Sequence, residues 1–192
     1  MREPRSGIMP RMARAALGDQ LLYQELADDP AAIRQAVFVV FLVAGVHGLG
    51  QLLAALYRVP DGESAGVSLF LSPALFTLIG WFLTAFFTYT TVSAVSGTSA
   101  SGFLGGTFLQ FVRSVGFTAS PGLLLILTGV PVVGSAAFLA STLWMATAMI
   151  IAVKESLNCS VGLAAFAVIL ATLIGRAIAL LVIAYLFAQA PI

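Results

Sequence analysis

The chain has 192 residues, of which 60% are hydrophobic and 9% are charged, and its formal net charge is +1. Soluble domains are about 25% charged, so this composition excludes an ordinary soluble protein and predicts an integral membrane protein. A net charge so close to zero, without a basic patch, argues against nucleic acid as a partner.

Residues 1–29 are predicted to form a cytoplasmic tail with a short helix. The stretch 11–28 favours a helix but is poorly amphipathic, so we expect it to lie on the membrane surface or against the bundle. Gly18-Asp19 is the point at which this helix would split, with Asp19 as the N-cap of the second part. Charged residues recur throughout this segment, which argues against a cleavable signal peptide.

Residues 30–192 are predicted to form an all-α transmembrane domain with five membrane-spanning helices. Asp29 can cap the free N–H groups of the first helix, and Pro30 suits its first position. Ser72-Pro73 repeats this pattern before the second helix. Each apolar span is long enough to cross a bilayer, and the spans cover about residues 35–57, 73–96, 108–129, 133–154 and 161–187.

The connections between the spans set the predicted orientation. Polar loops are predicted at 58–66 and 96–107, and a tight turn is predicted from Gly129 to Gly134. Arginine and lysine favour cytoplasmic segments. With the N-terminus inside, the inner side holds seven of these residues and the outer side holds only Arg58; the seven are Arg2, Arg5, Arg11, Arg14, Arg34, Arg113 and Lys154.

The third span is predicted to be broken at Ser120-Pro121. Proline has no N–H group and clashes with the preceding turn, so one helix would end there and another would start, at membrane depth. The backbone groups that this break frees must find partners within the protein, because the bilayer core contains no water. We therefore expect the break to organise the bundle.

Arg176 lies near the middle of the fifth span, where an arginine costs several kcal/mol unless it is paired or hydrated. No acidic residue lies at a similar depth in any span. Three interpretations are open. In the first, Arg176 forms hydrogen bonds to carbonyls of the broken third span and so joins the fifth helix to it. In the second, it belongs to an ion or substrate pathway. In the third, its side chain snorkels to the membrane interface.

Three further polar residues are candidates for a functional cluster with Arg176, Ser120 and Pro121. His47 is the only histidine and is predicted either to form an interhelical hydrogen bond or to relay protons. Gln110 and Arg113 lie at the start of the third span. Arg113 is interpreted as a snorkelling anchor or as a contact to a lipid phosphate or Glu155.

Small residues recur every four positions in the fifth span, at Ala167, Ala171, Gly175 and Ala179. They fall on one helix face and permit close helix packing. This seam is predicted to pack within the bundle or to form a homodimer.

The sequence carries no catalytic constellation. It has no paired intramembrane carboxylate, no metal-ligand spacing around His47 or Cys159, and no phosphate-cradling glycine loop. We therefore expect no enzymatic activity, no cofactor and no metal.

Two regions resemble the bacterial branch of the Yip1 family of five-span membrane proteins. The first runs from Leu22 to Pro30 and continues through 31–36 into the first span. The second runs from Val115 to Gly122 and is followed by the spaced residues Pro131, Gly134 and Trp144. The resemblance covers roughly residues 15–188. It implies a cytoplasmic N-terminal segment and five helices, and its eukaryotic members are linked to vesicle trafficking, Rab-class GTPases and membrane shaping.

The leading expectation is a non-enzymatic protein of the bacterial inner membrane, with its C-terminus on the periplasmic side. Besides the lipid bilayer, its partners would be other membrane proteins, and its role would be membrane organisation. The alternative is a small transporter or channel that uses the third-span break and Arg176, since an arginine near a helix N-terminus suits an anion.

Overall fold

The computed structural model describes residues 7–58, 67–96 and 106–188. Every regular element in these ranges is a helix. The predicted loops at 58–66 and 96–107 lie almost wholly outside the described residues, as do residues 1–6 of the predicted tail and the C-terminal end. The helices are α1 (Ile8–Ala16), α2 (Gln20–Asp28), α3 (Ala32–Arg58), α4 (Val67–Val95), α5 (Gly106–Gly116), a 3₁₀ segment (Phe117–Gly129), α6 (Gly134–Leu157) and α7 (Val161–Ala188).

Five of these helices, counting α5 and the 3₁₀ segment as one span, are long and apolar enough to cross a membrane. The predicted all-α, five-span architecture is confirmed. Four of the predicted spans agree with the observed helices within about three residues at each end, which is near the scatter of helix-end assignment. Successive spans run antiparallel, so α1, α2 and the Lys154–Glu155 pair lie at one end of the bundle, here called the N-terminal end.

The second span is the exception, because its helix starts at Val67 and Pro73 lies inside it. The prediction that Ser72-Pro73 starts this helix is therefore wrong. A proline in the second turn removes one ladder hydrogen bond, and the apolar residues before it extend the helix. Thr77 Oγ1 donates to the Pro73 carbonyl at 2.9 Å, which adds a local contact in this turn.

The third span does not end and restart at Ser120-Pro121, and that prediction needs correction. The helix changes from α to 3₁₀ winding at Phe117, and Pro121 lies within the 3₁₀ segment. In an α-helix the Phe117 carbonyl would accept from residue 121, which is a proline without an N–H group. In 3₁₀ winding this carbonyl accepts from the Ser120 N–H group, and Ser120 Oγ also donates to it, at 2.6 Å.

The third span is more buried than any other span and packs tightly against α3. Three glycines make this approach possible. A Cβ on Gly116 would lie 2.6 Å from Ala36 Cβ, and one on Gly50 would lie 2.4 Å from the Leu125 carbonyl oxygen. A Cβ on Gly122 would lie 2.5 Å from a Val43 methyl. These separations are too short for real side chains, so the glycines set the distance between the two helices.

The N-terminal segment forms two short helices that pair as a hairpin, here called the α1–α2 hairpin. Gly18 has a φ of +72° in the turn, and Asp19 caps α2 by accepting from Leu21 N at 3.1 Å. The predicted split and N-cap are confirmed. Asp29 accepts from Ala31 N at 3.0 Å just before α3, so its predicted capping role is confirmed as well.

The hairpin shares the apolar core of the membrane-spanning helices. Its fully or almost fully buried side chains are those of Met12, Leu22, Tyr23 and Leu26. Buried Arg11 ties α1 to the start of α3 by donating to Asp29 at 2.8 Å and to Gln35 at 2.9 Å. The segment therefore packs against the bundle, which is one of the two positions predicted for it.

The small-residue seam of α7 faces α4 and is buried. A Cβ on Gly175 would lie 3.0 Å from Thr84 N and 3.1 Å from Leu83 Cβ. The seam therefore serves packing within the bundle. A homodimer through the same four residues would need a surface that α4 already covers, so this alternative does not fit the fold.

The connection between the third and fourth spans is a tight turn, as predicted. Val133 N donates to the Pro131 carbonyl at 2.9 Å, and Gly134 N donates to the Val130 carbonyl at 2.9 Å. Between them Val132 is fully exposed and has a φ of +71°, a left-handed conformation that strains a β-branched residue.

Candidate intramembrane site

Arg176 lies on α7 and is partly buried. Its Cζ atom stands 5.5 Å from the centre of the Phe76 ring on α4. Within the described part of the chain, no hydrogen bond or ion pair to Arg176 is found. The cation–π contact with Phe76 is therefore its main polar stabilisation from the protein. The predicted hydrogen bonds from Arg176 to carbonyls of the third span are therefore not formed.

Arg176 lines a cavity of about 80 Å³ between α3, α4, the 3₁₀ segment, α6 and α7. A buried water needs about 10–15 Å³ on this measure, so the cavity has room for several waters or one small ligand. Its polar lining comes from five threonines, one tryptophan and Arg176; these are Thr77, Trp81, Thr84, Thr118, Thr142, Thr172 and Arg176.

Two of these lining residues have polar atoms that are buried without a protein partner among the described residues, namely Trp81 Nε1 and Thr142 Oγ1. An indole N–H group and a guanidinium group can donate hydrogen bonds but cannot accept them. In the part of the chain that the structure describes, no carboxylate lines the cavity. The site therefore combines a positive charge with spare donors, and it suits a ligand that accepts hydrogen bonds and carries negative charge.

His47 connects α3 to α4 next to this cavity. Its Nδ1 lies 2.8 Å from Thr77 Oγ1. Because the Thr77 hydroxyl already donates to the Pro73 carbonyl, it accepts from the imidazole, which places the proton of a neutral His47 on Nδ1. The His47 ring packs on Phe138 of α6, with centroids 6.3 Å apart. The predicted interhelical hydrogen bond of His47 is thus present.

A larger groove of about 550 Å³ lies between α3, α4 and α7 on the half of the bundle away from the hairpin. Its polar lining residues are His47, Gln51, Ser68 and Ser72. Phe76 lines both this groove and the Arg176 cavity. The Phe76 ring is therefore an element that the two spaces share.

Toward the N-terminal end the cavity meets tightly packed apolar side chains. Tyr89 on α4 stacks with Phe108 and Phe111 on α5, at centroid distances of 5.2 and 5.6 Å. Val153 and Val168 are also fully buried in this region. The described residues thus form a dry seal on one side of Arg176, while the groove lies on the other.

The six residues predicted as a cluster divide into three groups. Arg176 and His47 lie close together, joined through Thr77, which bonds His47 and lines the Arg176 cavity. Ser120 and Pro121 are buried in the 3₁₀ segment just beyond the lining residues Thr118 and Ala119. Arg113 and Gln110 do not line the cavity; Arg113 is half-buried and Gln110 is exposed.

Sequence reasoning missed most of the lining. Thr77, Trp81 and Thr84 are spaced by four and three residues, so they share one face of α4. That spacing could have identified them. Thr118, Thr142 and Thr172 come from three different elements, so only the packing of the bundle brings them together.

The comparisons with known proteins add no functional information. No family model, no curated protein and no solved structure matches this chain. The resemblance to the Yip1 family accordingly stays a prediction. Among the described residues, no group of three or more histidine, cysteine, aspartate or glutamate side chains could hold a metal ion.

Proposed function

We propose that this protein binds a small anion beside Arg176 and carries it across the membrane. The observation that carries the proposal is an arginine for which the described residues supply no hydrogen-bond acceptor. It lies in a cavity whose other spare groups include an indole N–H and to which these residues contribute no carboxylate. An arginine at the centre of a span is costly. A structural role would supply acceptors, whereas a binding role leaves the donors free for a ligand.

The route to the site follows from the two spaces that share Phe76. An anion in the groove would first meet Gln51 and the two serines, all of which can donate hydrogen bonds. Movement of the Phe76 ring would then expose the Arg176 guanidinium. The anion would replace the cation–π contact with a charge-assisted hydrogen bond, which is stronger.

The asymmetry of packing favours loading from one side. The groove lies on the half of the bundle away from the hairpin, and the Tyr89–Phe111 cluster closes the other half. The arginine and lysine distribution favours an N-terminal end in the cytoplasm. In this proposal the protein sits in a bacterial inner membrane and the structure represents an outward-loading state.

Anion flux into liposomes containing the purified protein tests the proposal directly. The assay compares chloride, nitrate, phosphate and sulfate for the wild type, Arg176→Met and Arg34→Met, an exposed arginine at the N-terminal end. We expect flux of at least one anion, which is lost in Arg176→Met and retained in Arg34→Met. Absence of flux for all four anions, or equal flux in both variants, would contradict the proposal.

A binding measurement separates loss of binding from loss of transport. Trp81 lines the cavity, so its fluorescence in a Trp144→Phe background should respond to the transported anion. Saturable quenching that disappears with Arg176→Met is the expected result.

A role in membrane organisation with other membrane proteins, as the sequence predicts, stays a separate prediction. Its test is affinity purification in a mild detergent. Enrichment of a specific membrane protein would support it, and a protein that purifies alone would contradict it.

A further inference from the structure

We propose that the α1–α2 hairpin dips into the bilayer leaflet at the N-terminal end, with its turn, residues 16–18, among the lipid acyl chains. The hairpin would then be a re-entrant element of the membrane domain. This inference does not depend on the proposed anion site, because it uses the position, charge and exposed surface of the hairpin alone.

The depth of the turn can be measured along α6. Trp144 Nε1 donates to the Ala16 carbonyl at 2.7 Å, and Trp144 precedes Lys154 by ten residues. A Cβ on Gly18 would lie 2.9 Å from Cδ1 of Ile151, which is three residues from Lys154. At 1.5 Å per residue, the turn lies about 5–15 Å inward from Lys154.

The other end of the hairpin is held near the polar boundary. Ser114 Oγ, one residue after Arg113, donates to the Tyr23 carbonyl at 3.0 Å. Gln24 Nε2 lies 3.4 Å from a carboxylate oxygen of Glu155. At Gln24 the hairpin therefore lies beside the charged end of α6, and its turn points away from this end, toward the middle of the bilayer.

The charges of the hairpin are arranged in a way that permits this position. Arg14 forms a two-pronged pair with Glu25, at 2.8 and 3.0 Å, and also contacts Asp19 at 2.6 Å. Buried Arg11 pairs with Asp29 at 2.8 Å. Unpaired charges are expensive in hydrocarbon, and here both arginines of the hairpin have acidic partners.

The exposed apolar surface identifies lipid as the occupant. Leu17, directly after the Ala16 carbonyl that accepts from Trp144, is 82% exposed, and Leu21 in the first turn of α2 is 66% exposed. On α6, Leu143 beside Trp144 is 68% exposed. The hairpin surface is thus continuous with a membrane-spanning surface that faces acyl chains. An apolar surface of this kind inserts about 5–10 Å into the interface.

Spin-label accessibility in liposomes tests the proposal. A nitroxide is attached to Leu17→Cys, Leu21→Cys, Gln24→Cys or Leu143→Cys, each in a Cys159→Ser background. Collisions with oxygen, which concentrates in acyl chains, are compared with collisions with a water-soluble nickel chelate. Melting temperatures identify the variants that fold like the parent.

We expect labels at Leu17 and Leu21 to resemble the lipid-facing label at Leu143, with high oxygen and low chelate accessibility. The label at Gln24 should show the opposite pattern. Chelate accessibility at Leu17 and Leu21 equal to that at Gln24 would place the hairpin in water and overturn the proposal. If one leucine variant fails to fold, the other decides the result.

Discussion

Replacing Arg176 with methionine should stabilise the fold while it removes anion binding. On insertion scales an arginine at the centre of a span costs about 2.5–3.5 kcal/mol. The cation–π contact between Arg176 and Phe76 offsets about 1–2 kcal/mol of this cost where water is excluded. Methionine keeps the apolar part of the side chain. In the wild type, Cγ of Arg176 lies beside Gly80, 3.8 Å from the point that a Cβ on this glycine would occupy. The expected gain is therefore about 1–2 kcal/mol.

Thermal unfolding in detergent measures this effect. For a chain of this size, 1 kcal/mol shifts the melting temperature by roughly 2–4 °C, so Arg176→Met should raise it by about 2–8 °C. Arg34→Met, the same substitution at an exposed position, should change stability by about 0.5 kcal/mol or less. A fall of several degrees in Arg176→Met, with Arg34→Met unchanged, would show that Arg176 holds the bundle together and would refute the reasoning.

Three further outcomes are expected from the packing and the hydrogen bonds. Gly50→Ala should cost about 1–3 kcal/mol by overpacking against the Leu125 carbonyl, whereas Gly45→Ala on the same helix meets nothing within 4 Å and should be neutral or stabilising; equal melting temperatures would contradict this. Ser120→Ala should cost about 0.5–1.5 kcal/mol by removing a buried side-chain hydrogen bond, while Thr147→Ala, which loses a similar bond at an exposed site, should cost less in the same assay. Hydrogen bonds from Arg14 lower the pKa of Asp19 and Glu25 below their ordinary values of 3.8 and 4.5, so their contribution is present above pH 4.5 and disappears as the pH falls through the lowered values. The melting temperature in detergent should fall over this pH range in the wild type and fall less in Arg14→Gln, and equal falls would contradict this.

Much of the fold was predictable because its signals are local. The five spans follow from the length of the apolar stretches, since each must cover the bilayer alone. Asp19 and Asp29 cap helices because a short carboxylate reaches the free N–H groups beside it. Pro73 shows where local reasoning fails: a proline early in a long apolar helix costs one hydrogen bond, and the packing of α4 against α3 and α7 compensates for it.

The sequence by itself determined the number of spans, the Asp29 cap before the first span and the presence of a costly arginine at membrane depth. Only the tertiary structure decided how the third span winds around Pro121, where the α1–α2 hairpin packs and what surrounds Arg176. The physical reason is that glycine-mediated helix approach and the convergence of threonines from four helical elements depend on residues far apart in the chain. These contacts placed Phe76, Trp81 and the unpaired donors beside Arg176, which composition and spacing alone did not indicate.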